Sequence, residues 1–352
     1  MHPEYSRILI RAANWVGDAV MSLAALRAVR ERFPRAEIAV LARPWVADLY
    51  ARESFADRVI PHTAPRGLLG LAGHARLARR LRRERFDCAI LFQNAFEAAL
   101  IARLAGIPRR IGYDRDARGF LLTDPIAVPR RGEIPRHECF YYLELLRRAG
   151  LLASLPRTVT IQLEGAAVAR AAGAARMARE GAAGPVIGVS PGAAHGGAKR
   201  WLPERFAEAA ASLASASGSS VALFGSDAEQ PLCEQVARIL HSRGTPVRNW
   251  AGRTTLAEFI ELAAACQVFL TNDSGAMHIA SALGVPTVAV FGATDHEATA
   301  PAGPLARIVR EPVECSPCLL RECPIDHRCM TRVTARQVAE EAGRLAGLGV
   351  GS

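Results

Sequence analysis

At 352 residues, half of them hydrophobic, the chain is long enough for about two globular domains, and no stretch reaches the roughly 18 to 20 uncharged apolar residues of a membrane-spanning helix. The formal charge of +10, largely arginine, favours an anionic partner: nucleic acid, an acidic membrane surface or a phosphorylated substrate. The opening residues MHPEYSRILI lack the apolar stretch and cleavage site of a secretion signal, so a cytoplasmic location is expected, where eight cysteines argue against a disulfide scaffold.

The first element is the apolar run Ile8 to Ile10, followed by a loop and then by Ala19, Leu23, Leu26 and Val29 at helical spacing: strand, loop, helix. The loop, Ala12-Ala13-Asn14-Trp15-Val16-Gly17-Asp18, has one glycine and no GxGxxG, so the dinucleotide fingerprint is absent. Asp18 at the helix start reads either as an N-cap or, at the mouth of a cleft, as a general base for a sugar hydroxyl. Further short runs at Ile38 to Ala42, Arg58 to Ile60 and Cys88 to Phe92 alternate with helix-like stretches, the pattern of a parallel sheet with crossover helices. The densest basic stretch, Arg76 to Arg85, has no interleaved aromatics on which bases would stack; it reads as a solvated helix face or as a contact for acidic lipid headgroups. Asp114-Arg115-Asp116 matches the D-x-D pattern of metal-dependent glycosyltransferases but lacks the flanking strand, and is read as a chance match.

Between residues 164 and 184 the composition shifts to alanine, glycine and arginine, which places a linker helix at 165–184 between a domain at 1–164 and a second at 185–333. Val186 to Ser190, Val221 to Phe224, Val268 to Leu270 and Thr287 to Phe291 are the strands expected in the second half, with helices at Pro203 to Ala214 and Leu256 to Ala265 between them. Two similar halves imply an interdomain cleft. Ligands of such sheets bind beyond the carboxyl ends of strands, where backbone amides open helices. The loop from Ser190 through Gly192 to Lys199 and Arg200 is glycine-rich and ends on two cations; it reads as a diphosphate cradle or as a plain surface turn, and it is not a P-loop. Asn272, Asp273, Ser274, Gly275 and His278 follow the strand Val268 to Leu270, either as a helix cap or as a phosphate-binding helix start. Cys315, Cys318, Cys323 and Cys329, with His327 among them, offer soft ligands for a structural zinc, with a redox-labile loop or reduced structural thiols as alternatives. Thr334-x-x-Gln337 is a capping box that opens a terminal helix at 334–352.

Three segments together, ILIRAANWVGDAVMSLAALRAVRERFP, PGAAHGGAKRWLPERFAEAA and VFLTNDSGAMHIASALGVPTVAVFGATD, resemble the bacterial lipopolysaccharide heptosyltransferases, glycosyltransferase family nine, and most closely the heptosyltransferase II branch. The resemblance implies an α/β GT-B fold of two Rossmann-like, doubly wound domains, with the acceptor held by the first and ADP-heptose by the second. It also implies an inverting transfer of heptose onto the heptose-Kdo inner core of a lipid A precursor, with no cofactor for catalysis and a peripheral contact with the cytoplasmic face of the inner membrane. By the same resemblance Asp18 matches the base and Lys199 the lysine on the donor phosphates. Asp273, Ser274, Gly275 and His278 match the segment around the diphosphate and sugar, and Asp227 an acidic residue near the ribose. A nicotinamide-dependent oxidoreductase and a nucleic-acid-binding protein are the rival readings; the missing fingerprint and the missing basic-aromatic motif count against them.

Overall fold

A computed structural model describes residues 4–63, 68–182 and 184–348; residue 183 of the expected linker and residues 349–352 of the expected terminal helix lie outside them. The chain divides into two compact units, one of residues up to Val159 and one from Thr160 onward.

The first unit runs β1 (Arg7–Arg11), α1 (Val16–Met21), α2 (Leu23–Arg32), β2 (Glu37–Ala42), α3 (Pro44–Tyr50), β3 (Arg58–Pro61), α4 (Leu68–Arg83), β4 (Cys88–Leu91), α5 (Phe96–Leu104), β5 (Arg109–Tyr113), β6 (Asp124–Ile126) and α6 (Cys139–Arg148). Its strands are all parallel, in the order β3-β2-β1-β4-β5-β6, with Ile8 opposite Ile38 on one side and Cys88 on the other. Helices on both faces bury such strands completely, which is why Ile8, Leu9 and Ile10 form an uninterrupted apolar run rather than an alternating one.

The second unit repeats the plan: α7 (Ala166–Arg179), β7 (Val186–Ser190), α8 (Pro203–Ser217), β8 (Ser220–Leu223), α9 (Gln230–Ser242), β9 (Val247–Asn249), α10 (Leu256–Ala264), β10 (Val268–Asn272), α11 (Gly275–Ala282), β11 (Thr287–Val290), β12 (Ala306–Val309), α12 (Arg328–Thr331) and α13 (Ala335–Ala346). The sheet order β12-β11-β10-β7-β8-β9 is that of the first unit, read from the opposite edge. Both follow the order of dinucleotide-binding Rossmann folds, in which the connections change direction between the first and fourth strands. The crevice beyond the carboxyl ends therefore opens between β1 and β4 in one unit and between β7 and β10 in the other.

Local chemistry departs from the sequence expectations at a few points. The single helix expected after the first loop is broken at Ser22, whose hydroxyl donates back to the Ala19 carbonyl at 2.8 Å. Four strands had no sequence signal: β5, which opens on two arginines, and β6, β9 and β12, which are short or polar. The three short ones are edge strands and bury little, whereas β5 buries Ile111 and Tyr113 behind its two opening arginines. Helix α7 packs against α10 within the second unit, with Gly173 lying on the Glu261 backbone so closely that a Cβ would overlap the carbonyl. The expected capping box opens α13: the Gln337 amide donates to Thr334 Oγ1 at 3.2 Å and the Thr334 amide to Gln337 Oε1 at 2.7 Å. Val338, Ala339 and Ala342 carry this helix into the core of the second unit.

Candidate functional site

The two connections at the second unit's switch point are tied together by Asn272. Fully buried at the end of β10, it accepts from the Trp201 amide at 2.9 Å and donates to the Pro191 carbonyl at 2.7 Å, so both ends of its amide brace the loop after β7. Trp201 is itself a core anchor, with its ring edge-on to Phe206 and its indole N–H on the Val333 carbonyl at 3.1 Å. Between these fixed points Lys199 Nζ meets Asp273 Oδ2 at 2.6 Å, with the lysine side chain 13% and the aspartate 5% exposed. The same oxygen accepts from Thr294 Oγ1 at 2.6 Å and Thr299 Oγ1 at 3.3 Å. An ammonium has three donors, so pairing with one carboxylate leaves it directions for further acceptors.

Ser274 is the extended N-cap residue of α11, its hydroxyl 3.1 Å from that of Thr271, and Gly275 begins the helix. The first amides of α11 are thus aimed at the crevice. His278 is buried on the next turn, and Ser190 closes β7 directly opposite Thr271. Gly192 is buried where any Cβ would strike the Glu229 carboxylate, which caps Ser226 at 2.8 Å. Arg200 donates to the Ala193 carbonyl at 3.2 Å, so it braces the loop it ends. Asp227 is exposed beyond β8, the second strand of its unit, where Rossmann folds place the carboxylate that meets a ribose.

The cysteine-rich segment has a different structure from the zinc site expected of it. Among the described residues no group of three or more His, Cys, Asp or Glu side chains is arranged to hold a metal ion, and all eight cysteines are free. Cys315 is exposed, Cys318 and Cys323 are half-buried, and Cys329 is buried against Gly292. Burial, reinforced by the neighbouring thiols of Cys315, Cys318 and Cys323, pushes the Cys329 thiol up to about 11. What this segment does hold is the glycine-rich loop. Arg321 donates to the His195 carbonyl at 2.8 Å and accepts from the Ala198 amide at 2.9 Å; Glu322 accepts from the Gly197 amide at 2.9 Å, and His327 meets the Ala198 carbonyl at 3.0 Å. Contrary to the sequence expectation a strand, β5, directly precedes the D-x-D residues; they lie on an exposed turn, where Arg115 pairs with Asp116 at 3.6 Å.

In the first unit Asp18 is not the N-cap. Trp15 holds that position in α1, and Asp18, in its first turn, accepts from the Tyr142 hydroxyl of α6 at 3.4 Å. Burial, then the Asp18 charge, drives the Tyr142 phenol well above its ordinary range, so it stays a neutral donor. Burial and the same charge also raise the Glu138 carboxyl. The loop beneath is set by Arg11, which donates to the Ala12 carbonyl at 3.0 Å and Asn14 Oδ1 at 3.1 Å. Burial and the nearby Arg43 lower it to about 10, which leaves it cationic at neutral pH. Buried Arg118 likewise fixes the connection after β4, reaching the Tyr113 carbonyl at 2.9 Å and Asn94 at 3.1 Å. Sequence reasoning missed Tyr142, Arg11 and Arg118; nothing local marks them, because each acts through partners on other elements.

Two Rossmann-like units, one with a carboxylate and the other with a lysine-aspartate pair at the switch point, define the α/β, GT-B class of nucleotide-sugar glycosyltransferases. The match to the glycosyltransferase family 9 (heptosyltransferase) model extends over residues 74–328, and the chain belongs to that family and is a glycosyltransferase. It is 33% identical to lipopolysaccharide heptosyltransferase 2 of Salmonella typhimurium over 86% of this chain and 88% of that protein. With lipooligosaccharide heptosyltransferase 2 of Campylobacter jejuni it shares 27% over 97% of this chain and 99% of the other. The solved structure of Escherichia coli ADP-heptose lps heptosyltransferase II superposes with a TM-score of 0.81 at 31% identity, covering 97% of this chain and 98% of that one.

Proposed function

We propose that the chain transfers heptose from ADP-heptose onto the heptose-Kdo inner core of a lipopolysaccharide precursor, the second-heptose step. The observation that carries the reading is the Lys199–Asp273 pair at the switch point of a chain whose 33% identical relative bears the name lipopolysaccharide heptosyltransferase 2. The donor's diphosphate lies against Lys199 and the opening amides of Ser274 and Gly275, and its ribose meets Asp227. Asn272 and Arg200 keep the two loops in register, so their part is positioning. Asp273 holds Lys199 by its ammonium, while Ser190, Gly192 and His278 line the same crevice.

The reaction is a single displacement with inversion. Asp18 takes the proton of the attacking acceptor hydroxyl, whose oxygen bonds to the anomeric carbon as the bond to the ADP oxygen breaks. Negative charge developing on the departing diphosphate meets Lys199 and the α11 amides, the electrostatic role that a metal fills in other transferases.

The exposed arginine face of α4, with Arg76, Arg79, Arg80 and Arg83, supplies a peripheral contact with an anionic membrane. No helix among the described residues is long and apolar enough to cross one. Co-sedimentation with anionic vesicles at low salt tests this contact, and protein left in the supernatant rejects it. For the reaction, the purified chain is given ADP-heptose and either Kdo-lipid A or its monoheptosylated form. Transfer only to the monoheptosylated acceptor is expected; transfer to the unheptosylated one moves the assignment to the first step, and transfer to neither overturns it.

A further inference from the structure

Among its described residues the first unit exposes four large aromatic side chains, and they share one location. Trp15, Trp45, Phe96 and Phe120 are 65%, 54%, 41% and 72% exposed. Each lies just beyond the carboxyl end of a strand: Trp15 after β1, Trp45 after β2, Phe96 after β4 and Phe120 after β5. These strands are consecutive in the sheet, in the order β2-β1-β4-β5, so at about 4.8 Å per strand the four positions extend roughly 14 Å along one edge. The strip is braced from within. Trp45 Nε1 donates to the Asn14 carbonyl at 2.7 Å, Arg43 lies 5.9 Å over the Trp45 ring and bonds Glu97 at 2.9 Å, and Phe96, next to Glu97, packs on Phe120 with ring centroids 6.1 Å apart.

Rings left in water on a braced edge contribute little to the core, and a row of exposed apolar side chains of this kind marks a ligand surface. Its composition selects the ligand. Among the described residues the exposed large aliphatic side chain of this unit is Leu104, which ends α5 at the opposite end of the sheet, and the exposed apolar side chains of this edge are aromatic. Flat rings with electron-rich faces suit the C–H face of a pyranose, whose hydroxyls remain at its rim for water and polar side chains. A surface that inserts among acyl chains would carry aliphatic side chains as well.

We propose that Trp15, Trp45, Phe96 and Phe120 form a stacking platform for the saccharide chain of the acceptor, with Trp15 under the ring whose hydroxyl Asp18 activates. The assignment rests on the reading of Asp18 as the base, three residues beyond Trp15 in the same helical turn. Two measurements on the full chain test it. With ADP-heptose saturating, Trp15→Ala, Trp45→Ala and Phe120→Ala each raise the acceptor KM by roughly two- to tenfold. ADP affinity and the thermal midpoint stay unchanged, and Trp15→Phe recovers most of the loss. The effect has the same size with the lipid-bearing acceptor and with its deacylated oligosaccharide; a loss seen only with the lipid-bearing form means that the rings meet lipid and overturns the proposal, as does an unchanged KM. Fluorescence reads binding without turnover, because Trp201 and Trp250 are buried and the exposed indoles are Trp15 and Trp45. Oligosaccharide should shift the wild-type emission, and less so that of Trp15→Phe. A shift without heptose transfer leaves the platform standing and rejects the function, whereas transfer without a shift rejects the platform alone.

Discussion

Asp18 and Lys199 divide the chemistry between them, and their substitutions should separate binding from turnover. Asp18→Asn keeps the size of the side chain and its contact with Tyr142 while removing the basic oxygen. Turnover is expected to fall by roughly 10²- to 10⁴-fold, the usual contribution of a general base, with ADP affinity nearly intact in a calorimetric titration. Loss of ADP binding with turnover preserved would remove Asp18 from this role. Lys199→Ala should weaken ADP by roughly 1.5 to 3 kcal/mol, the worth of a charged hydrogen bond. It also strips the buried Asp273 of its cation, a loss that costs about 3 to 5 kcal/mol when nothing compensates. Thr294 and Thr299 still donate to that carboxylate, so the fall in thermal stability should be smaller than this. An unchanged ADP affinity excludes Lys199 from the donor site.

At the scale of elements, the segment from Glu314 to Cys329 acts as a brace on the loop that carries Lys199. Gly196 is the point of closest approach: its φ is +153°, and a Cβ there would meet the Arg321 carbonyl. Gly196→Ala is expected to cost about 1 to 3 kcal/mol and to weaken ADP binding by moving the loop. Gly218, at the C-cap of α8 with φ +65° and open space around it, provides the contrast. Gly218→Ala should cost about 1 kcal/mol of backbone strain and leave ADP affinity alone. Thermal melts paired with ADP titrations distinguish them, and equal ADP affinities for both variants would show that the brace has no bearing on the donor loop.

For the molecule as a whole, acid sensitivity has an identifiable source in the first unit. Burial, then Arg11, Arg43 and His74, holds the His62 imidazole down at about 4 against an ordinary value of 6.5. Between those values the unfolded chain takes up a proton that the folded one refuses, so stability is intact above pH 6.5 and falls as pH drops toward 4. His62 is only half-buried, so solvent screening reduces its share to about 1 kcal/mol. Unfolding free energies of wild type and His62→Asn from urea titrations at pH 7.5 and pH 5 should converge at the lower pH by about that amount; parallel shifts would assign the acid sensitivity elsewhere.

Periodicity and punctuation were enough to reveal two doubly wound units, because parallel strands buried on both faces must be short apolar runs and their crossover helices must repeat at helical spacing. The polar connections that end on Asp18, Lys199 and Asp273 were visible for the same reason, as breaks in that pattern. Sequence could not show that the loop after β7 would be locked to β10 through Asn272, across 81 residues. Nor could it show that Tyr142 would lie on Asp18 across 124, or that four scattered aromatics would fall beyond the ends of consecutive strands. The cysteine spacing suggested a metal site, yet spacing constrains only local reach, and it is Arg321, Glu322 and His327 of that segment that brace the donor loop. Local propensity acts within a turn or two of chain. Sheet order decides which distant connections become neighbours, and with them which charges are paired and which rings stay in water.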